Sequence, residues 1–415
     1  MKYLCIDLKS FYASVECIER GLDPITTPLA VCDLERGVGS LFLAATPAVK
    51  KMGLKSRSRL FEIPEYLKKQ IIFAKPRMKK YIEYSAKVYE VYLEMFSADD
   101  IYSYSIDEVF IDVTPYITYY NMSIEDLSLE VVKRVYNKTK LICCVGSGDN
   151  MLLAKLSLDI LAKKEPNGVY YLNIEKFKER IWMHEPITDI WRIGAGTQKR
   201  LYKYGIKTLG QLANSKKELI LKEFGVIGEE LYEHAWGIDT TTIKEIKDYI
   251  PINKSLNNSR ILCDDVDKEG AIVVLLEIAD TLLLKLIEGK LKTNNIGIDI
   301  GYSRILNLSF HKSLKLTSST NSYKIISNEI KDVVNNYVDN LPIRKLGLTF
   351  GGLSASKVHQ LSLFEEDNEE EVKLYETIKE VKDRFGKNAL NKAISHTEEG
   401  TQRKRNEYIG GHNSE

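Results

Sequence analysis

Alternating blocks of apolar and polar residues divide the first part of the chain into short strands and helices. Apolar runs such as YLCIDL predict buried strands, and apolar positions spaced by three or four residues predict helices. The predicted strands are 2–8, 29–33, 40–46, 101–104, 109–113 and 141–145. The first predicted helix begins at Ser10, and three more cover 79–96, 123–138 and 150–164. We expect Ser10 to cap the first helix, and the order of elements predicts an α+β core.

The pattern changes after the EPNG turn at 165–168, where it becomes helical and is interrupted by glycines. A polar stretch at 239–251 that ends in proline indicates a linker. Beyond it, strand patterns at 296–302, 306–310 and 345–350 and helix patterns at 270–288 and 322–338 predict a separate α+β domain. The remaining residues contain the acidic run EEDNEEE, one helical pattern and a polar end that we expect to be mobile.

Length and composition are those of a soluble protein with several domains. The 415 residues exceed what one hydrophobic core usually supports, and 44% of them are apolar. Six cysteines occur without a CxxC pair, which favours reduced thiols. The longest apolar stretch, 271–287, is interrupted by charges, and no basic leader precedes the first strand, so we expect a cytoplasmic protein without a membrane span. The net charge of +1 predicts that nucleic acid would be contacted only through local basic clusters.

Three carboxylates stand out because they lie at the ends of apolar runs. Asp7 is the last but one residue of YLCIDL, and Asp107 with Glu108 lies within YSIDEVFID. Like charges emerging together from buried strands repel strongly unless a cation neutralises them. The pattern therefore predicts a divalent metal site, although a lone Asp-Glu pair can equally cap a turn after a strand.

Four motifs in fixed order resemble those of the Y-family lesion-bypass DNA polymerases, with the greatest similarity to the UmuC-like branch of ImpB/MucB/SamB type. They are IDLKSFYASVE, YSIDEVFID, the LAKxxxDxxAK pattern ending at Lys163, and the PNG that follows. The resemblance covers residues 1 to about 364 and implies a multi-domain α+β polymerase shaped like a right hand. It implies a ferredoxin-like palm (1–10 and 77–168), small fingers (11–76), a helical thumb with a helix-hairpin-helix (169–240), an α+β little finger (250–355) and a tail (356–415).

The resemblance also implies the ligands of the metal site. They are the side chains of Asp7, Asp107 and Glu108 together with the backbone carbonyl of Leu8. Two magnesium ions, for which manganese can substitute, would activate the primer hydroxyl and stabilise the leaving pyrophosphate.

Residues for the incoming nucleotide are implied in the same way. Phe11 and Tyr12 match an aromatic pair of the family, and Tyr12 lies where a steric gate would exclude a ribose 2′-hydroxyl. The family's Thr, Tyr and Arg set for the triphosphate is replaced by Ala44, Pro47 and Lys50. We therefore expect binding of the triphosphate to depend on Lys50, Lys163 and Thr46. The alternatives are that the aromatic pair belongs to the ordinary core and that Lys50 lies on a solvated helix face.

Two further segments are candidates for contact with primer-template DNA. IGAGTQKRL has the glycine spacing of a helix-hairpin-helix, in which Gly194, Gly196, Lys199 and Arg200 would contact phosphate, although a tight turn between helices has the same pattern. Lys254 and Arg260 lie on an extended segment that could follow the DNA backbone, or that could be a polar edge strand.

The pentapeptide QLSLF matches the peptide that binds the bacterial sliding clamp. Gln360 would fix the peptide, and Leu361, Leu363 and Phe364 would contact the clamp, with the last two filling an apolar pocket. Short matches also arise by chance in apolar sequence. The UmuC-like resemblance further implies accessory proteins of the SOS response, but no residue identifies one.

The function that we infer from these features is template-directed DNA synthesis opposite damaged bases from deoxynucleoside triphosphates. One alternative is a non-catalytic adaptor that binds DNA and the clamp, for which Ala44 and Pro47 are the only support. Another is a nucleotide cyclase, which also uses paired carboxylates, but the hairpin motif and QLSLF count against it.

Overall fold

Two compact units make up the part of the chain that the computed structural model describes, residues 1–55, 57–251, 254–355 and 369–415. The first unit is Met1–Tyr249 with Glu415, and the second is Ile250–Ser414. The strands of the first unit are β1 (Tyr3–Leu8), β2 (Leu29–Val31), β3 (Ala44–Ala45), β4 (Ile72–Ala74), β5 (Ile101–Ser103), β6 (Glu108–Asp112), β7 (Cys143–Gly148) and β8 (Val169–Leu172).

The helices of the first unit are α1 (Phe11–Glu19), α2 (Pro47–Lys51), α3 (Glu65–Lys68), α4 (Met78–Leu93), α5 (Thr114–Tyr120), α6 (Ile124–Thr139), α7 (Met151–Leu156), α8 (Ile174–Arg180), α9 (Ala195–Tyr202), α10 (Leu209–Ala213), α11 (Lys217–Phe224), α12 (Val226–Ala235) and α13 (Ile243–Asp248). The mixture of strands and helices confirms the predicted α+β class. The expected helix over 150–164 is interrupted, because α7 continues into a π-helical turn (Ser157–Leu161) and a short 3₁₀ turn.

A five-stranded sheet in the order β5-β6-β1-β7-β8 forms the centre of the first unit. Its pairs are antiparallel except for β7 and β8, and α4 and α6 pack together, with α6 also against β7. In the register of β1 and β6, Asp7 lies directly opposite Glu108. The sheet therefore brings together carboxylates that are about a hundred positions apart in sequence.

Two glycines on β7 allow the following helical segment to lie directly on the strand. A Cβ atom at Gly146 would come within 2.1 Å of the Leu158 backbone nitrogen, and one at Gly148 within 2.5 Å of the Ala154 nitrogen. No side chain fits in that space, so glycine is required at both positions. This close approach places Lys155, Asp159 and Lys163 beside the ends of β1 and β6.

A second, smaller sheet in the order β3-β2-β4 lies in the region expected to be the fingers. The predicted strand 40–46 is reduced to Ala44–Ala45, because the Phe42 amide donates instead to the Ser58 carbonyl at 2.9 Å. Farther along, the predicted linker 239–251 contains α13. Thr242 and Glu245 form a reciprocal capping box there and Ile243 is buried, so a short polar segment becomes a helix.

The second unit is a four-stranded antiparallel sheet, β11-β10-β12-β9, covered by helices. Its elements are β9 (Leu256–Val266), α14 (Lys268–Glu288), β10 (Leu291–Tyr302), β11 (Ser309–Thr320), α15 (Tyr323–Tyr337), β12 (Ile343–Gly351), β13 (Ser354–Ala355), α16 (Glu369–Phe385), α17 (Gln402–Asn406), β14 (Tyr408–Ile409) and β15 (His412–Asn413). The strand expected at 306–310 is found instead at β11. Most residues of β11 are polar, so the sequence shows little of the alternation of apolar and polar residues that would indicate this strand. Across the described ranges, no helix has the length and apolar content that a membrane span needs.

A buried ion pair in the second unit is completed by Thr401 and Gln402, which directly precede the polar end of the chain. Arg260 on β9 and Glu277 on α14 are both 2% exposed and form an ion pair of 2.5 Å. Glu277 also accepts hydrogen bonds from the Thr401 and Gln402 amides at 3.0 Å each. Burial lowers the pKa of Arg260 to about 10, with Glu277 opposing this shift. Residues near α17 thus complete a charged cluster in the interior of the second unit.

We expect Glu277→Ala to lower the free energy of unfolding of the second unit by about 3–5 kcal/mol, because it leaves the Arg260 guanidinium buried without its counter-ion. The control is Glu288→Ala on the same helix, whose carboxylate is 59% exposed and should contribute about 1 kcal/mol or less. Urea unfolding of the full chain, with amide hydrogen exchange of α14 to locate the effect, measures both. Equal losses in the two variants would show that the buried pair does not stabilise this unit.

Candidate active site

The turn between β1 and α1 begins the site. Ser10 is the residue directly before α1. Its backbone is in the left-handed region, with φ of 51°, a conformation that is uncommon for residues other than glycine. Its hydroxyl does not cap the helix, contrary to expectation, and instead accepts a hydrogen bond from the Lys50 ammonium at 3.1 Å. The tight turn brings Phe11 and Tyr12, four and five residues after Asp7, to the same cleft as the Asp7 carboxylate.

A cleft of about 570 Å³ lies over this turn. The Leu8 amide donates to the Asp107 carbonyl at 3.0 Å, and the Ser105 hydroxyl donates to the Asp107 carboxylate at 2.7 Å. The cleft is lined by Asp7, Leu8, Lys9, Ser10, Phe11, Tyr12, Leu43, Ala44, Ala45, Lys50, Arg57, Asp107, Cys144 and Lys163. Its floor thus combines two of the predicted carboxylates with four cationic side chains.

Two lysines alternate with three carboxylates in a continuous chain of ion pairs. Lys155 contacts Glu108 at 2.6 Å and Asp159 at 3.0 Å. Lys163 contacts Asp159 at 2.9 Å and Asp7 at 3.1 Å. Sequence reasoning included Lys163 but missed the pairing of Lys155 with Glu108, although both lysines belong to the LAKxxxDxxAK pattern.

Burial and these pairs together set the protonation of the cluster. Burial lowers the pKa of Lys155 and of Lys163, but the adjacent anions outweigh it and both pKa values lie above the usual range. Burial raises the pKa of Asp7, and the Lys163 ammonium opposes that shift. The Cys5 thiol donates a hydrogen bond of 3.3 Å to Glu108, and burial raises the pKa of this thiol well above the usual value. The lysines are therefore the charged partners of the carboxylates at neutral pH.

The fit of this site to a divalent metal follows from its donors. Among the described residues, no three acidic, histidine or cysteine side chains converge as a ready-made metal cluster. Lys163 and Lys155 instead neutralise Asp7 and Glu108. The donor types still fit, because carboxylate and peptide oxygens are the hard ligands that magnesium prefers. A cation entering here would replace ammonium groups as the neutralising charge.

The structure separates the residues expected to contact the nucleotide. Tyr12, Lys50 and Lys163 line the cleft, and Phe11 lines it while remaining almost fully buried. Thr46 does not, since its side chain is fully buried, its hydroxyl donates to the Thr27 carbonyl at 2.8 Å, and it accepts from the Leu29 amide. The Thr46 hydroxyl is therefore not available for the expected phosphate contact, because it is buried and already bonded to Thr27 and Leu29.

Arg57 is a cleft residue that sequence reasoning missed. It is exposed, and within the described ranges no ion pair or hydrogen bond of its side chain is found. Its backbone is held in place because the neighbouring Ser58 is buried and accepts from the Phe42 amide. The signal was the run KSRSR, in which Arg57 lies four residues beyond the end of the motif used for alignment. Partial burial lowers the pKa of nearby Lys50. The Asp7 carboxylate opposes this shift, whereas the Lys163 ammonium lowers the pKa further.

The helix-hairpin-helix candidate lies at the start of α9. Gly194 is the residue before the helix, and a Cβ atom at Gly194 or Gly196 would meet no other atom within 4 Å, so packing does not require glycine there. Lys199 is exposed. Arg200 is bound to Glu223 at 2.8 Å and lies over the Phe224 ring, so it joins α9 to α11.

The remaining DNA and clamp candidates have different outcomes. Lys254 is exposed, whereas Arg260 is buried in the ion pair with Glu277, so the expected DNA contact of Arg260 is wrong. The expected clamp peptide, Gln360, Leu361, Leu363 and Phe364, lies outside the described residues.

The chain matches family models and full-length relatives. The impB/mucB/samB family matches residues 6–159, and the C-terminal domain of the same family matches residues 253–363. The UvrX protein of Bacillus subtilis (strain 168), named for UV-damage repair, is 34% identical over 99% of this chain and 97% of its own length. DNA polymerase IV 2 of Halalkalibacterium halodurans is 31% identical over 98% of both chains.

A solved structure supports the fold. A Y-family DNA polymerase chimera, Dbh-Dpo4(243-245)-Dbh, superposes with a TM-score of 0.64 at 19% identity, covering 86% of this chain and 100% of the chimera. At that identity the similarity concerns the fold alone. Together with the family matches and the full-length relatives, it shows that the chain belongs to the impB/mucB/samB family, the UmuC-like type of Y-family DNA polymerase.

Proposed function

We propose that this protein is a template-directed DNA polymerase that inserts deoxynucleotides opposite damaged bases. The observation that supports this most directly is the cleft in which Asp7 and Asp107 face Lys50, Arg57 and Lys163. Carboxylates for divalent cations and cations for a triphosphate are what phosphoryl transfer requires. The relatives named as polymerases do not favour the adaptor hypothesis, and primer-template DNA and deoxynucleoside triphosphates are the expected partners.

In this proposal Asp7, Asp107, Glu108 and the Leu8 carbonyl would hold two magnesium ions. Bound magnesium would activate the primer hydroxyl and neutralise charge on the leaving pyrophosphate. The register of β1 and β6 fixes two of these side chains opposite each other before any ligand binds. Both strands are largely buried, so the backbone that carries these carboxylates is packed in the interior, while the paired lysines would give way to the cation.

Three cations are arranged to bind the triphosphate. Lys163 is 37% exposed and can turn from Asp7 toward a phosphate oxygen. Lys50 and Arg57 approach from the fingers side of the same cleft. A guanidinium presents a planar fork to phosphate, whereas an ammonium acts as a point charge. Arg57 thus offers the bidentate contact that Lys50 alone does not.

We expect Asp107→Asn to reduce primer extension by about 10³-fold or more while leaving primer-template affinity nearly unchanged, because it removes charge at the reacting centre and not on the DNA-binding surface. Steady-state extension and fluorescence anisotropy measure the two quantities. The matched control is Asp112→Asn at the opposite end of β6, which should extend primers normally. Extension by Asp107→Asn at near wild-type rate would refute the metal assignment.

We expect Arg57→Ala to raise the KM for deoxynucleoside triphosphate by about 10-fold, the range expected for a charge-assisted hydrogen bond at a partly exposed site. Lys55→Ala serves as the control, since Lys55 lies on the same loop, is exposed and does not line the cleft. Inhibition by inorganic triphosphate separates the possibilities. If Arg57 contacts phosphate, its loss weakens this inhibition, and unchanged inhibition would show that Arg57 does not bind the triphosphate.

We also propose that QLSLF tethers the enzyme to the sliding clamp, since a tether raises local concentration without altering the active site. Replacing Leu363 and Phe364 by alanine should abolish stimulation of primer extension by clamp loaded on DNA. Extension without clamp should stay as in the wild type. Persistent stimulation would show that the clamp, if bound, is bound elsewhere.

A further inference from the structure

The ring of Tyr12 is held in the cleft by stacking and not by its hydroxyl. No hydrogen-bond partner of this hydroxyl is found in the described part of the chain, although the side chain is half-buried. The Tyr12 ring stacks on the Tyr81 ring with centroids 4.4 Å apart and planes inclined by 16°. Phe11 packs beside it at 5.5 Å in a tilted arrangement. The position of the Tyr12 ring therefore depends on the surface beneath it.

Tyr81 supplies that surface and is itself rigidly fixed. It lies on α4, is fully buried, and donates a hydrogen bond of 2.8 Å to the Glu16 carboxylate on α1. Phe11 meets its ring edge-on at 6.4 Å. An offset stack between aromatic rings has a defined separation and tilt, so a fixed Tyr81 determines the plane in which Tyr12 can lie.

Glu16 anchors Tyr81 through a buried charge cluster. Its carboxylate is fully buried and accepts hydrogen bonds from the Arg77 guanidinium at 3.0 Å and 2.9 Å, and another from Arg20. Burial raises the pKa of Glu16, but these donors outweigh it and hold the pKa below its usual range. Arg77 precedes α4, so the cluster joins the start of α4 to α1 directly behind the ring stack.

We propose that Tyr81, held by Glu16 and Arg77, is a positioning residue that sets sugar discrimination through Tyr12. This inference rests on the proposed polymerase function. A ring placed against the sugar excludes a 2′-hydroxyl only if it cannot recede, and Tyr81 blocks the space into which it would recede. Removing that ring would leave a cavity behind Tyr12, and the gate would admit a ribonucleotide without any change to the gate residue itself.

The test compares deoxyribonucleotide and ribonucleotide insertion by Tyr81 variants. Tyr81→Leu should lower the ratio of kcat/KM for the deoxyribonucleotide to kcat/KM for the ribonucleotide by about 10-fold, because the ring stack is lost. Most of this change should come from a lower KM for the ribonucleotide. Tyr81→Phe keeps the ring but loses its anchor, so we expect a fall of about 2- to 3-fold. A purely structural role would lower both kcat/KM values together and leave the ratio unchanged, which would overturn the proposal.

Tyr84 offers a matched control on the same helix. Its hydroxyl donates to Glu19 on α1 at 2.8 Å, the same kind of bond, but its ring does not stack on Tyr12. Tyr84→Leu and Tyr84→Phe should leave the sugar ratio at the wild-type value. An equal fall of the ratio in both series would mean that general loosening of α4, and not the stack, is responsible.

A second readout keeps this inference separate from the proposed function. Wild-type protein that extends no primer with deoxynucleotides would refute the function, whatever Tyr81 does. Fluorine NMR of 3-fluorotyrosine placed at position 12 reports the ring without turnover. We expect its resonance to shift and narrow in Tyr81→Leu but not in Tyr84→Leu, and an unchanged resonance in both would overturn the positioning role.

Discussion

Repulsion among carboxylates at one end of a buried sheet is the constraint on which the first unit depends. Strand register places Asp7 opposite Glu108, the Leu8 amide holds Asp107 beside them, and Lys163 and Lys155 offset the charges of Asp7 and Glu108. Those lysines reach the carboxylates only because glycines on β7 let the helical segment lie against the strand. The charge balance of the cleft therefore depends on how closely the helical segment, with its π-helical turn, packs on β7.

Sequence reasoning found the carboxylates because their signal is local. Each lies at the end of an apolar run, and paired strands of this kind converge at one edge. The same reasoning missed the pairing of Lys155 with Glu108, because the contact depends on how closely a helix packs and on a turn that departs from α-helical spacing. Residue type alone also misassigned Thr46 and Arg260. Both are polar and lie near functional segments, but burial commits their side chains to the protein's own interior.

Fold class was predictable to the level of alternating strands and helices, and the boundaries were less so. The amphipathic patterns of α4 and α6 and the long, mostly apolar pattern of α14 gave helices close to those observed. The polar strand β11 and the short helix α13 were missed because tertiary contacts and capping, not hydrophobic period, define them. The residues of the site thus belong to local motifs, while the ion pairs of Asp7 and Glu108 join residues that are far apart in sequence.

The buried pair of Arg260 and Glu277 has a consequence for the order in which the chain is made. Thr401, which completes the shell of hydrogen bonds around this pair, follows Arg260 by 141 residues. On a ribosome the sheet and α14 therefore emerge with a buried carboxylate that lacks part of its final solvation. The hydrogen bonds around this pair are completed only when synthesis has passed residue 402, so premature termination upstream would leave Glu277 buried without the Thr401 and Gln402 amide donors.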